Sequence, residues 1–227
     1  GEGASRSALA QGFEALGGRA RPLLLERELA FACELSVVCA RGDDGRTLAF
    51  PVARNRHDEG ILVESLAPAP VPDEVAGRAH RLAERLMAAL DAVGVLTVEL
   101  FLMPDGSLAV NELAPRVHNS GHWTLDGAFT DQFEQHIRAI CGLPLGSVEP
   151  IAPAVAMVNL LGRGAPRPAV LQGTEVALAD PVVRLHLYDK RQVFERRKMG
   201  HLTVAAVSGE DALARAVAAR DALTWAD

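Results

Sequence analysis

The sequence predicts an α+β fold of antiparallel sheets with flanking helices, followed by a small β-rich C-terminal domain. Three observations carry that expectation. Short runs rich in Leu and Val, such as residues 22–28 and 34–41, alternate with turn residues in the first half of the chain. Residues 73–93 show the period of one long amphipathic helix. Beyond residue 147 the composition shifts to short apolar runs at 154–161, 182–188 and 201–207. The organisation expected is a larger domain over residues 1–147 and a smaller one over 148–227.

In order, Ser7 opens a short helix that runs through residue 16, and Gly17-Gly18 stops it. Residues 22–28 and 34–41 read as strands joined through 29–33. Gly42-Asp43-Asp44-Gly45 turns the chain, 47–53 returns as a strand, and 54–62 is a polar loop between strands. Residues 70–72 make a rigid, proline-bounded connector. Asp73 begins the long helix, whose stripe is Val75, Ala79, Leu82, Ala83, Leu86, Leu90 and Val93, and Gly94 stops it. His80 lies beside the stripe and reads as structural or solvated. Thr130 is the expected cap of a further helix through Phe133, Ile137 and Ile140 to Gly142. The last helix covers 211–225, with Ser208 as its cap.

Between the long helix and Thr130 lies the stretch the chain is organised around. Pro104-Asp105-Gly106-Ser107 separates two apolar-rich runs, and Asp-Gly in that setting signals a hairpin. A two-residue loop at Asp105-Gly106 makes opposed residues sum to 211, so Glu99 faces Glu112 on one side of the ribbon. Like charges at about 5 Å across a strand pair repel. Either a hard cation such as Mg²⁺ bridges the two carboxylates, or both are solvated on an open strand face. A three-residue loop starting at Pro104 would shift the pairing by one.

Pro115 ends the ladder, and the chain continues through Arg116, His118, Asn119, Ser120 and His122, a dense polar segment just beyond the carboxylates. The run Asn111-Glu112-Leu113-Ala114-Pro115-Arg116-Val117-His118-Asn119-Ser120-Gly121-His122-Trp123-Thr124 resembles the signature of N(5)-carboxyaminoimidazole ribonucleotide synthetase, a family of the ATP-grasp superfamily in purine biosynthesis. The resemblance extends over most of the chain and implies the ATP-grasp fold for its first part.

What the resemblance implies for individual residues is specific. Residues 23–38 are similar to the family's nucleotide hinge, which places Glu26 and the Leu29 backbone at the adenine edge and Glu34 on the ribose. On their chemistry alone these glutamates read as exposed strand carboxylates. Residues 54–62 resemble the segment whose histidine lies near the ATP phosphates, which assigns that place to His57. Glu99 and Glu112 become the Mg²⁺ ligands, with Asn111 assisting. Arg116 stabilises an anionic carboxyphosphate, and His118 and Asn119 orient bicarbonate or the amine, or hold the ribose. Tyr188-Asp189-Lys190 and Arg197-Lys198-Met199-Gly200-His201-Leu202 resemble the C-terminal pattern in which a Lys and an Arg grip the substrate 5′-phosphate. Lys190 and Arg197 take those roles; Arg196 and Lys198 stand beside them.

The activity so implied is ATP-dependent carboxylation of 5-aminoimidazole ribonucleotide with bicarbonate, with ATP and Mg²⁺ as cofactors and a homodimer as the expected assembly. Another ATP-grasp ligase, such as a biotin carboxylase or a glycinamide ribonucleotide synthetase, and a non-catalytic nucleotide-binding fragment are the alternatives. The family's N-terminal α/β domain and glycine-rich loop are not visible; Gly1-Glu2-Gly3 reads as the tail of that loop, and the isolated chain is expected to be weak or inactive. The formal charge of −6 argues against nucleic acid or a membrane surface as partner. Lys190 and Lys198 are the only lysines. Cys33, Cys39 and Cys141 are odd in number and lack C-x-x-C spacing, which points to a reducing, cytoplasmic setting.

Overall fold

A computed structural model describes residues 6–226. It divides into two compact units, Gly1–Ala30 and Phe31–Asp227. In the first, helix α1 (Arg6–Ala15) forms where the sequence predicts it, and Gly17, at φ 72, occupies the left-handed conformation that ends a helix. The strand expected at 22–28 does not form: residues 22–30 have no regular secondary structure. A strand is completed by its ladder partner, and the described part of this unit contains no second strand. Gly1-Glu2-Gly3 lies outside the described residues.

The second unit runs β1 (Cys33–Arg41), β2 (Thr47–Ala49), β3 (Ala53–Asp58), β4 (Ile61–Ala67), α2 (Asp73–Ala89), β5 (Gly94–Leu102), β6 (Leu108–Ala114), α3 (Thr124–Gly127), α4 (Gln132–Ile140), β7 (Ala154–Leu161), β8 (Arg167–Pro168), β9 (Leu171–Gln172), α5 (Thr174–Ala177), β10 (Val183–Leu187), β11 (Gln192–Val193), β12 (Lys198–Ala206), α6 (Gly209–Asp221) and β13 (Thr224–Trp225). One sheet takes the order β10-β12-β7-β4-β3-β1-β5-β6, with β2 beside β1, and its pairs are antiparallel. The boundary expected near residue 147 falls between α4 and β7, and the sheet continues across it because β7 pairs with β4.

Both faces are covered along β1, β5 and β7, which is why these strands read as nearly continuous apolar runs. Leu35, Val37 and Cys39 of β1 and Leu96, Val98 and Leu100 of β5 pack against Val75, Ala79, Ala83 and Met87 of α2. Helix α2 has no side-chain cap at Pro72. Packing therefore has to hold it, and each large buried apolar side chain contributes roughly 1.5–3 kcal/mol. Around the C-terminal strands, α6 buries Ala212, Ala216 and Ala219 against Ala156, Val158, Leu202 and Val204. A third cluster, with Val38, Ala53, Val155 and Met157, seats Trp123, and so fixes the polar segment that precedes it.

Several local expectations are corrected. Helix α2 ends at Ala89 with Leu90 as its cap; Gly94, at φ 113, instead opens β5, where a Cβ would stand 2.8 Å from the His136 ring. His80 is structural, its Nε2 lying 3.0 Å from the Phe50 carbonyl oxygen. Asp131, not Thr130, caps α4, accepting from the Phe133 and Glu134 N–H groups. The polar segment 54–62 is not a loop but the β3–β4 hairpin, turned at Glu59 (φ 46) and Gly60 (φ 76), so His57 is a strand residue. Ser208 caps α6 as expected.

Candidate active site

The hairpin β5–β6 fixes the acidic pair by a route the sequence left open. Near the turn, Leu102 faces Leu108 and Leu100 faces Val110. Met103 N–H donates to the Ser107 carbonyl and Gly106, at φ 80, closes a three-residue loop, so the two-residue loop is incorrect. That loop alone would offset the glutamates. A bulge at Asn111 inserts one extra residue on β6 and restores the pairing, so Glu99 does face Glu112.

Two more bulges shape the same region. Arg56 faces Glu64 while His57 faces Leu62, which makes Val63 the extra residue on β4. On β12, Lys198 faces Leu161 while Gly200 faces Leu160, which makes Met199 the extra residue. Leu161 and Asn159 share a face of β7, so their partners Lys198 and His201 share one too, although three positions apart.

Glu34, His57, Glu99, Asn111 and Glu112 line one cleft of about 690 Å³. Glu34 Oε2 lies 2.8 Å from His57 Nδ1 and accepts from the His57 N–H at 3.2 Å. Burial holds the Glu99 carboxyl above the usual carboxylate range, and the charges of Glu112 and Glu34 push it the same way; His57 and Lys198 offset part of this. Glu99 Oε1 is 3.6 Å from His118 Nδ1. Ser36, directly opposite Glu99 in the β1–β5 register, is 1% exposed and its Oγ has no partner among the described residues; Asn119 Nδ2 is likewise unpartnered.

The segment after Pro115 is held by a residue that sequence inspection passes over. Gln132, fully buried at the start of α4, accepts from the His118 N–H at 2.9 Å. Its Nε2 lies 2.8 Å from the His118 carbonyl, to which it donates, and 2.9 Å from His122 Nδ1. Only the fold could reveal this, since a glutamine in a first helical turn ordinarily faces solvent. His118 is pushed down to about 4 by burial, reinforced by Arg116 and Lys198, and His122 to about 4, again chiefly by burial. Both imidazoles are neutral at pH 7. Arg116 is exposed, its guanidinium donating to the Val117 carbonyl.

In the C-terminal part, Lys190 donates to the Lys198 carbonyl and Arg197 lies over the Phe194 ring at 4.9 Å; neither lines the cleft that Glu99 and Glu112 share. Burial, then Arg197, lowers the proton affinity of Lys190, so the two cations share one neighbourhood. Lys198, half-buried, has its proton affinity lowered by burial and partly restored by Glu99. Arg196 is engaged elsewhere, with Asp58 at 3.2 Å and Glu59 at 3.0 Å. Glu26 and Leu29 belong to the irregular segment of the first unit. Among the described residues no group of three or more His, Cys, Asp or Glu side chains is arranged to hold a metal by itself. No helix there is long and apolar enough to cross a membrane.

Comparison with known proteins adds sequence and fold likeness to this geometry. Residues 4–133 match the model of the ATP-grasp domain. Residues 155–215 match the phosphoribosylaminoimidazole carboxylase C-terminal domain. The N5-carboxyaminoimidazole ribonucleotide synthase of Bacillus subtilis is 46% identical over 186 residues, covering 79% of this chain and 46% of the relative. The chain thus spans about half the length of the curated relatives it matches. The synthetase of Thermus thermophilus superposes with a TM-score of 0.81 at 44% identity, over 93% of this chain and 56% of that one. The Aspergillus clavatus synthase, solved with ADP and 5-aminoimidazole ribonucleotide, gives 0.86 at 36% identity, over 96% and 57%.

Proposed function

We propose, for a chain that belongs to the ATP-grasp family in the branch of the N5-carboxyaminoimidazole ribonucleotide synthases, that its site serves ATP-dependent carboxylation of 5-aminoimidazole ribonucleotide with bicarbonate. The observation that carries this is the convergence of Glu34, His57, Glu99, Asn111 and Glu112 on one cleft, with Glu99 opposed to Glu112.

The residues fit Mg²⁺ bound together with a nucleotide. Two carboxylates and a carboxamide are hard oxygen ligands too few to enclose an ion, as suits a metal that keeps phosphate and water in its shell. Glu99, destabilised as an anion by burial and by Glu112, gains from a cation there. The unpartnered Ser36 and Asn119 atoms offer hydrogen bonds to that shell. Glu99, Glu112 and Asn111 would hold the ion, which would supply positive charge to offset the negative charge that develops on the transferring group.

The chain's own residues do the rest. Glu34 accepts from ribose hydroxyls; the roles of Glu26 and the Leu29 backbone at the adenine edge rest on the sequence likeness of residues 23–38 alone. His57, held by Glu34, donates toward the phosphates. Arg116 stabilises the anionic acyl phosphate formed from bicarbonate. Neutral His118 and Asn119 orient the amine or bicarbonate. Lys190 and Arg197 bind the ribonucleotide phosphate, a dianion that accepts several charge-assisted hydrogen bonds.

The proposal includes a division near residue 147, supported by domain models that end at 133 and resume at 155. It also includes a homodimer, and a cytoplasmic setting supported by three free cysteines. Calorimetric titration of the chain with ATP, with and without Mg²⁺, tests the site. Metal-dependent binding that Glu112→Ala weakens at least tenfold is expected. Equal binding by both proteins, or binding indifferent to Mg²⁺, would sink the assignment.

A further inference from the structure

A cluster of imidazoles lies behind the cation pair and takes no part in the chemistry above. His186 stacks on His201, ring centroids 4.6 Å apart with an interplanar angle of 11°. Asp126 Oδ2 lies 2.6 Å from His186 Nε2. The Tyr188 hydroxyl meets His201 Nδ1 at 2.8 Å, and Lys190 Nζ sits 5.5 Å from the centroid of the Tyr188 ring. The backbone makes that last contact possible. Asp189, at φ 50, takes the left-handed conformation that Asp enters more readily than most residues. The chain doubles back and lays Lys190 over the ring two positions before it.

We infer that Tyr188 and His201 are positioning residues that hold Lys190 at the phosphate end of the site, an inference that rests on the phosphate-binding role proposed for Lys190.

The direction of the hydrogen bond follows from its surroundings. His201 is 1% exposed, and its Nε2 has no partner among the described residues. Neither has Oδ1 of Asn159, the residue opposite it in register, whose amide orientation is set by its Nδ2 donating to the Leu62 carbonyl. Directly opposed side chains share a face of the sheet, so the unpartnered Asn159 acceptor favours the proton on Nε2. Nδ1 is then bare and accepts the Tyr188 hydroxyl. Burial pushes His201 down to about 3, so the ring keeps this neutral form throughout the working pH range. The anchored ring and the Lys198 carbonyl together confine an ammonium that would otherwise swing on a four-carbon stem. Confinement in advance reduces the ordering that phosphate binding requires.

Calorimetry on the full chain tests this with 5-aminoimidazole ribonucleotide and, as a phosphate-only probe, ribose 5-phosphate. Tyr188→Phe keeps the ring beneath the ammonium and removes its tie to His201. It should weaken both ligands about fivefold, the worth of one net hydrogen bond, and leave Mg²⁺-ATP affinity unchanged. Lys190→Ala should weaken them further, and in that background Tyr188→Phe should add nothing. The same loss in both backgrounds, or a parallel loss of ATP affinity, overturns the inference by making the effect structural. If Lys190→Ala weakens binding and Tyr188→Phe behaves as wild type, the inference alone fails. A Lys190→Ala chain that binds both ligands normally overturns the phosphate role of Lys190 itself.

Discussion

Replacing Gln132 by Met isolates what the polar segment owes to one side chain. The substitution conserves length and approximate volume while deleting contacts at 2.9 Å to the His118 N–H, 2.8 Å to its carbonyl and 2.9 Å to His122 Nδ1. Each such hydrogen bond is worth about 1 kcal/mol net, so the expected loss is about 3 kcal/mol. For a unit of this size that corresponds to a fall in Tm of roughly 6–12 °C. Urea unfolding at pH 7.5 should show a lower midpoint with an unchanged slope, because the surface exposed on unfolding is the same. Gly121→Ala should disturb the same contact from the other side, since a Cβ there would stand 2.5 Å from Gln132 Oε1 and 2.9 Å from Val38 Cγ2. The two losses should add to less than their sum, as changes at one contact do. A Gln132→Met protein within about 1 kcal/mol of wild type would refute the claim that this glutamine pins the segment.

Other expectations concern charge. Glu99 has a raised carboxyl, so its contribution to stability is fully present below its unfolded value of 4.5 and is lost as pH rises through the folded one. Glu99→Gln should therefore raise the Tm of the ligand-free chain at pH 7, with little change at pH 4, while abolishing metal-dependent ATP binding; a lower Tm at pH 7 would contradict the electrostatic account. His118, His122 and His201 carry the opposite sign. Their values, pushed to about 4, 4 and 3, lie below the ordinary 6.5, so the stability they contribute is present above 6.5 and lost as pH falls toward 4. Each adds up to about 1.4 kcal/mol per pH unit to the acid slope, and His122→Asn should flatten a pH titration of unfolding free energy by that amount. An unchanged slope would show that His122 is free to ionise in the native state.

Strong local patterns were legible before any coordinates. The α2 stripe through Val75, Ala79 and Ala83, the Ser208 cap and the apolar runs of β1, β5 and β7 appear where periodicity and cap chemistry place them; Leu90 and Val93, beyond the helix, are exposed instead, and Met87 completes the buried face. The Glu99–Glu112 opposition was legible too, but for an incomplete reason: a longer loop and a compensating bulge arrive at the pairing a shorter loop would have given. Residues 22–28 and 54–62 were misread because apolar content and polarity speak to burial, whereas a strand exists only where a neighbour supplies the ladder.

By itself the sequence determined the family, the acidic pair and the run of polar groups after Pro115, because turn chemistry, residue type and order are properties of adjacent positions. Only the tertiary structure decided that Gln132 grips His118, that Met199 turns Lys198 onto the face of His201, and that Tyr188 ties Lys190 to a buried imidazole. The physical reason is range. Hydrogen bonds between positions distant along the chain, and the face on which a bulged strand presents its side chains, depend on which strands become neighbours, and that is settled by packing rather than by local propensity.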